Sequence, residues 1–308
     1  MQSVDLSIII LNYKTKALTL EAIASIEKNY PKEVASGSFE MIVADNASSD
    51  GSIEAFTAYK KNSKIKFFHI LDNGGNIGFA AGNNKGVSKS SGKFVLFLNP
   101  DTIVYPKTLT YLLNFIKDHP EAGAVTCKLV NKAGEFDFNS HRGFPTPWNA
   151  FCYFSRLQRL FPKSRLFAGY TQGWMDNNST HEVDAIAGAF ILTPRIVGEK
   201  IGWWDEDYFF YGEDLQFCYD IRKLGLKIYY VGEVEIMHIG GAASGIKKKS
   251  QNITTADIEI KKKVQAARFS AMKIFYKKNF RHKYPKWLQS IIFITIDFLY
   301  KRALTGIK

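Results

Sequence analysis

Four side chains able to do chemistry stand at the ends of hydrophobic runs in this chain. Positions 95–101 read Val-Leu-Phe-Leu-Asn-Pro-Asp. A buried strand must stop there, because Pro100 cannot donate to a ladder. Asn99 and Asp101 are thereby presented at the strand's carboxyl end, where open α/β sheets bind their ligands. A hard carboxylate in that position suits Mg²⁺ or Mn²⁺ carrying a diphosphate. Residues 205–214 read Asp-Glu-Asp-Tyr-Phe-Phe-Tyr-Gly-Glu-Asp. The aromatics demand burial, so this is no solvated charge run. Glu213 and Asp214 directly precede an amphipathic helix, as dipole-stabilising residues or as a general base in an aromatic-walled pocket. Trp203 and Trp204, just upstream, are suitable platforms for a sugar face. His238 follows another apolar run, either as a structural imidazole or as the partner of Asp101 on a cation.

The elements that must position these groups alternate. Leu6–Leu11, Phe39–Ala44, Ile65–Ile70 and Phe94–Leu98 have the apolar character of buried strands. Between them lie helical stretches at Thr15–Asn29, Ile53–Lys61 and Phe79–Ser88, and Pro106 opens another at its favoured first position. This order predicts a mostly parallel, doubly wound α/β sheet. Tyr13 follows the first strand, as a half-buried strand-end aromatic or a stacking partner for a flat base. Asp45 and Asn46 end the second strand, where they form a turn or accept from the ring N–H of a base. Ser48, Ser49 and Asp50 can fill the turn role, which leaves Asp45 free. Asn73-Gly-Gly-Asn-Ile-Gly78 lets backbone approach a ligand before a helix, although it lacks the G-x-G-x-x-G pattern. Residues 131–182, rich in aromatics, Pro and Arg, read as a pocket-shaping insertion. Regular structure returns with Val183–Leu192, a helix over Leu215–Leu224 and a strand over Lys227–Val231.

The 308 residues, 46% hydrophobic and 23% charged, describe a globular chain with room for one large domain and an appendage. The net charge of +12 is confined to one end: residues 247–308 carry 16 Lys/Arg against 3 Asp/Glu, and the remainder is nearly neutral. Such a tail seeks an anionic surface. Its helix candidates begin at Ile260, with Val264, Ala267, Ala271 and Ile274 on one face, and at Trp287, running to Tyr300. The second falls short of the ~20 residues that cross a bilayer. It either packs on the body or lies in the membrane interface between Lys286 and Lys301-Arg302. Three cysteines (Cys127, Cys152, Cys218) fit a reducing compartment. With no signal layout at the start, the expectation is a cytoplasmic protein held peripherally on the inner face of the membrane. No nucleic-acid module accompanies the charge, so no nucleic-acid partner is expected. Self-association stays open.

Together the segments Ser-Ile-Ile-Ile-Leu-Asn-Tyr, Val-Ala-Asp-Asn-Ala-Ser-Ser-Asp-Gly-Ser, Asn-Ile-Gly-Phe-Ala-Ala-Gly-Asn-Asn, Leu-Asn-Pro-Asp-Thr, Gly-Ala-Phe and Tyr-Gly-Glu-Asp resemble the family 2 glycosyltransferases, most closely a rhamnosyltransferase-like branch. The resemblance covers about residues 5–245. It implies a GT-A domain over residues 1–246, with 131–182 on the acceptor side and 247–308 as a C-terminal helical extension. It also implies a nucleotide-sugar donor (a dTDP- or UDP-sugar), Mg²⁺ or Mn²⁺, and inversion at the anomeric carbon. By position, Leu11, Tyr13, Asp45, Asn46, Asn76, Gly78, Asn99 and Asp101 would contact the donor. Asp101 and His238 would hold the metal, and Asp214 with Glu213 would carry catalysis. Trp203, Trp204 and Gly188 would shape the sugar sites. The implied acceptor is a glycan or lipid-linked oligosaccharide, and dTDP-L-rhamnose is the first donor to consider. Two departures stand out. Many relatives carry paired aspartates where Asp45-Asn46 stand, and many have Asp where Asn99 stands. A sugar-nucleotide pyrophosphorylase or NAD-dependent enzyme would need a Gly-rich loop after the first strand, and Leu11-Asn-Tyr-Lys-Thr15 has none. A glycan-binding or scaffold protein that kept the fold without the chemistry is the non-enzymatic alternative.

Overall fold

The computed structural model describes residues 3–138, 140–240 and 258–305. The chain opens with β1 (Leu6–Asn12), α1 (Lys16–Asn29), α2 (Pro31–Ser36), β2 (Phe39–Asp45), α3 (Ser52–Asn62), β3 (Phe68–Asp72), α4 (Phe79–Val87) and β4 (Phe94–Leu98). β5 (Thr102–Val104), α5 (Thr108–Asp118) and β6 (Ala122–Val130) follow. Then come β7 (His141–Arg142), α6 (Pro147–Phe154), α7 (Leu157–Leu160), β8 (His181–Val183), β9 (Ala185–Ile186), β10 (Phe190–Pro194) and α8 (Arg195–Ile201). α9 (Glu213–Lys223), β11 (Lys227–His238), α10 (Ile258–Asn279) and α11 (Lys286–Thr305) complete it.

A large sheet runs β3-β2-β1-β4-β10-β6-β11-β5, with β8 on β11. β3, β2, β1 and β4 are mutually parallel, as are β6 and β11, while β10 lies antiparallel between the two groups. β7 and β9 form a separate antiparallel ribbon. All seven residues of β1 are buried, as a central strand with covered faces requires. Ile8, Ile10, Ile23, Phe56 and Leu112 fill the core on one face, and Ile9, Ile42, Phe97, Trp204 and Phe217 fill it on the other. The fold is therefore the doubly wound α/β arrangement that the alternation predicts.

Three local expectations change. The helix expected to open at Pro106 begins at Thr108, because Lys107 takes a left-handed conformation (φ 69°). Tyr30 sets that corner: its hydroxyl donates to the Tyr105 carbonyl (2.7 Å) and accepts from the Leu109 N–H (2.9 Å). α9 begins at Glu213 rather than Leu215, so both acidic residues lie in its first turn. β11 extends to His238, seven residues past the expected strand end at Val231; a register shift against β6 between Val231 and Glu235 interrupts its apolar pattern.

The tail divides into two roles. The expected boundary at 246/247 lies outside the described residues, as do Lys247–Lys249. α10 packs on the body. Its buried face carries Phe269, Phe275 and Tyr276 besides Val264 and Ala271, and Asn279 Nδ2 donates to Gln216 Oε1 of α9 (2.7 Å). α11 is longer than the apolar stretch suggested, yet among the described residues no helix is long and apolar enough to cross a membrane. One of its faces covers α10. Trp287, Ile291, Ile294 and Phe298, at i, i+4, i+7 and i+11, are exposed on the other.

Gly78 ties the loop before α4 to the acidic–aromatic segment. Its φ is +92°, and a Cβ there would lie 2.6 Å from the Phe209 carbonyl oxygen. The next N–H, of Phe79, donates to that same oxygen at 2.9 Å. Gly78→Ala should therefore destabilise the protein by about 1–3 kcal/mol, read as a lowered urea midpoint at unchanged slope.

Candidate active site

The carboxyl ends of the strands open into one large cavity of about 1520 Å³. Leu11, Tyr13, Asn46, Asn76, Asn99, Asp101, Gly188, Glu213, Asp214 and His238 all line it. Four other expected residues do not. The Asp45 carboxylate is buried and turned inward, accepting from Asn12 Nδ2, the Ser48 hydroxyl and the Ser48 N–H (2.8 Å). The expectation that neighbouring residues free Asp45 from the turn is thus reversed, because a buried carboxylate must find donors and Ser48 is the nearest. Gly78 spends its close approach on Phe209, not on the cavity. Trp204, 1% exposed, is a core residue packed edge-on against Phe79 and Phe97 and tilted against Phe217, and Trp203 packs on Gly198, Phe97 and Arg195. Neither is a sugar platform. Their bulk is required to cover Phe97 on the central strand.

At one end of the cavity Asp101 meets His238. β11 pairs antiparallel with β5, placing His238 opposite Thr102, and the Ile239 N–H donates to the Asp101 carbonyl (2.9 Å). His238 Nε2 lies 3.5 Å from Asp101 Oδ1, and its Nδ1 lies 3.3 Å from Asp137 Oδ2. Burial alone would lower the imidazole pKa, but the two carboxylates outweigh it and raise it to about 9. Nε2 faces the Asp101 carboxylate as an ion pair and makes no well-formed hydrogen bond. An imidazole nitrogen beside a carboxylate is an N/O donor pair of the kind Mn²⁺ or Mg²⁺ accepts once the imidazole proton is displaced. Among the described residues no cluster of three or more His, Cys, Asp or Glu could hold a metal unaided. Further ligands would have to come with the substrate.

Asp214 stands at the start of α9, held from three directions. Arg142 of β7 forms an ion pair with it, and the Gly188 N–H (3.2 Å) and Leu215 N–H (2.8 Å) donate to its two oxygens. The β7–β9 ribbon makes this possible, since it sets Arg142 opposite Ala185, just ahead of Gly188. Glu213 is buried beside it with Oε2 unpartnered. Burial first, and the Asp214 charge second, raise the Glu213 pKa to about 8. The two adjacent carboxyls are thus split into one neutral acid and one ion-paired carboxylate. Arg142 and Asp137 have no motif or periodicity to announce them; a basic and an acidic residue in an irregular aromatic insertion were the only signal.

A mixed, mostly parallel sheet with its cavity at the strand ends, and an acidic–imidazole pair facing an acidic helix start, defines a GT-A type of fold. The mannosyltransferase PcManGT of Pyrobaculum calidifontis, solved with GDP-mannose and Mn²⁺, superposes with a TM-score of 0.59 over 99% of this chain and 73% of its own, at 16% identity. The sequence profile of glycosyl transferase family 2 matches residues 7–184, and the chain belongs to that family. It is 27% identical to the low-salt glycan biosynthesis hexosyltransferase Agl10 of Haloferax volcanii, over 76% of this chain and 67% of that protein. It is 24% identical to the N-acetylglucosaminyl-diphospho-decaprenol L-rhamnosyltransferase of Mycobacterium tuberculosis, over 67% of this chain and 68% of that protein. Other relatives are longer, and the chain spans 43% of some of them.

Two outcomes follow. Folded Glu213 stays protonated up to about pH 8, whereas in the unfolded chain it ionises from 4.5. Its contribution to stability is therefore full below 4.5, declines as pH rises, and is gone above about 8. Glu213→Gln should flatten that part of the pH–stability curve in urea unfolding. Arg142→Gln strands a largely buried carboxylate and should cost about 3 kcal/mol; a loss under 1 kcal/mol, on the order of an exposed pair, contradicts the ion pair's role.

Proposed function

We propose that the chain is an inverting, divalent-cation-dependent glycosyltransferase. It moves a sugar from a nucleotide-sugar to a hydroxyl of a glycan or lipid-linked acceptor in bacterial surface polysaccharide synthesis. The observation that carries this is the shared cavity: Asp101 with His238 on one side, Asp214 on the other, with room between them for a donor. Tyr13, Leu11, Asn46 and Asn76 form the wall for the nucleotide. L-Rhamnose from dTDP-rhamnose is the first donor to test, on the likeness to a rhamnosyltransferase.

Asp214 is the general base. It takes the proton of the acceptor hydroxyl as that oxygen attacks the anomeric carbon, and the bond from that carbon to the nucleoside diphosphate breaks on the opposite face. Arg142 and the Gly188 N–H fix the carboxylate's direction. Glu213, neutral, adds no second negative charge to an already acidic site. Asp101 and His238 are the residues that would hold Mg²⁺ or Mn²⁺, which supplies charge neutralisation on the departing diphosphate. The exposed α11 stripe, flanked by Lys286 and Lys301-Arg302, supports peripheral attachment to an anionic membrane on the cytoplasmic side.

Asp214→Asn should lower turnover by about 10²–10⁴-fold while nucleotide-sugar binding survives; release of nucleoside diphosphate against calorimetric binding checks this. Retained turnover removes Asp214 from the base role, and no metal-dependent release by the wild type from any nucleotide-sugar favours the non-enzymatic scaffold. Ile294→Ser with Phe298→Ser should weaken binding to phosphatidylglycerol vesicles about thirtyfold, since each exposed side chain contributes roughly 1 kcal/mol on insertion. Unchanged binding removes α11 from the membrane.

A further inference from the structure

His238 is the last residue of β11, and β11 lies between β6 and β5 in the sheet. Each neighbour delivers one carboxylate to its imidazole. On the β5 side Asp101 faces Nε2. On the β6 side Leu129 and Val130 pair with Ile236 and Met237, and the chain then turns back on itself. Phe136 bridges to Val130, and the Asp137 N–H donates to the Leu129 carbonyl (2.9 Å). That return sets Asp137 beside the end of β11. Its Oδ2 accepts from His238 Nδ1 at 3.3 Å, and both side chains are largely buried.

The backbone at Asp137 is anchored by bonds that do not involve the carboxylate. Besides the N–H bond to Leu129, its carbonyl accepts from the Ser140 N–H (2.9 Å) and from the Ser140 hydroxyl (2.6 Å), and Ser140 is fully buried. The turn therefore does not call for an acid at this position, whereas the imidazole does. A histidine ring has two nitrogens, and the hydrogen bond made by one decides which of them a cation takes. With Nδ1–H on Asp137, the nitrogen that faces Asp101 is Nε2. The Asp137 contact is to the opposite nitrogen, so it does not make Asp137 a donor to an ion held between Nε2 and Asp101.

We infer that Asp137 is a positioning residue of the donor site: it holds the His238 ring through Nδ1–H and so aims Nε2 at the cation that Asp101 shares. This rests on the metal-dependent transferase reading and deepens it. Asp137 lies outside the segments that carry the family resemblance, in the irregular stretch that also supplies Arg142. One insertion thus steadies both halves of the site, with Asp137 acting on His238 and Arg142 acting on Asp214.

The test is calorimetric binding of dTDP and of UDP to the full chain, each with and without Mn²⁺. The readout is the factor by which Mn²⁺ tightens the nucleotide. Asp137→Ala should reduce that factor about 10–100-fold, the usual effect of removing a carboxylate behind a metal-bound histidine. Asp137→Asn keeps an acceptor oxygen without the charge. It should fall between wild type and Asp137→Ala, since charge-assisted hydrogen bonds are roughly twice as strong as neutral ones. In ¹⁵N NMR the His238 Nδ1–H should be seen in wild type and in Asp137→Asn, and be lost to solvent exchange in Asp137→Ala. Thermal melting checks folding, and the isosteric Asp137→Asn carries the test through its partial loss if Asp137→Ala does not fold. An unchanged Mn²⁺ factor in the variants, or equal losses in both, overturns the positioning role and leaves the transferase reading standing. No Mn²⁺ effect in wild type with either nucleotide overturns the cation reading itself, and the positioning role with it.

Discussion

The site depends on a three-residue strand pairing. β5 is only Thr102–Val104, and it lies antiparallel to the last residues of β11, with Thr102 opposite His238. That register joins two parts of the chain 136 residues apart. It brings the imidazole to the carboxylate that Pro100 left at the end of β4. Side chains alternate along a strand, so a slip of one residue would turn His238 to the other face. The shift in the β6–β11 ladder between Val231 and Glu235 lets the same strand serve β6 and then β5. Strand topology, more than any local motif, makes Asp101 and His238 neighbours.

The second half of the site is an electrostatic arrangement. Two successive carboxyls at the start of α9 would repel each other in a buried setting. The protein separates them by environment. Burial and an unpartnered Oε2 favour the protonated form of Glu213, while Asp214 receives Arg142 and two backbone N–H groups. The insertion that supplies Arg142 therefore holds the Asp214 carboxylate as well as forming pocket wall. The tail also contributes to the cavity, since residues of α10 and α11 line it.

Much of this was legible in the sequence because it follows from periodicity and strand ends. The alternation of apolar runs and amphipathic stretches predicts the doubly wound sheet, and Asn-Pro-Asp marks the strand end that opens on the cavity. What escaped depended on long-range pairing. Trp203 and Trp204 sit beside acidic residues in sequence, yet they fill the space over Phe97, and only the packing reveals it. Three cap-forming residues after Asp45 suggest a carboxylate free for a ligand, whereas burial obliges it to hold Asn12 and Ser48. Arg142 and Asp137 lie in a segment without period. In α10 the aromatics Phe269, Phe275 and Tyr276 make the buried face wider than a simple apolar stripe.

The most direct test of the central claim, that the β5–β11 pairing builds the cation and diphosphate end of a donor site, is a crystal structure with Mn²⁺ and a nucleoside diphosphate. Anomalous scattering from manganese against Asp101 and His238, with the diphosphate in the cavity that Asp214 lines, is the result expected. Manganese and diphosphate bound elsewhere, with the Asp101–His238 contact undisturbed, would contradict it.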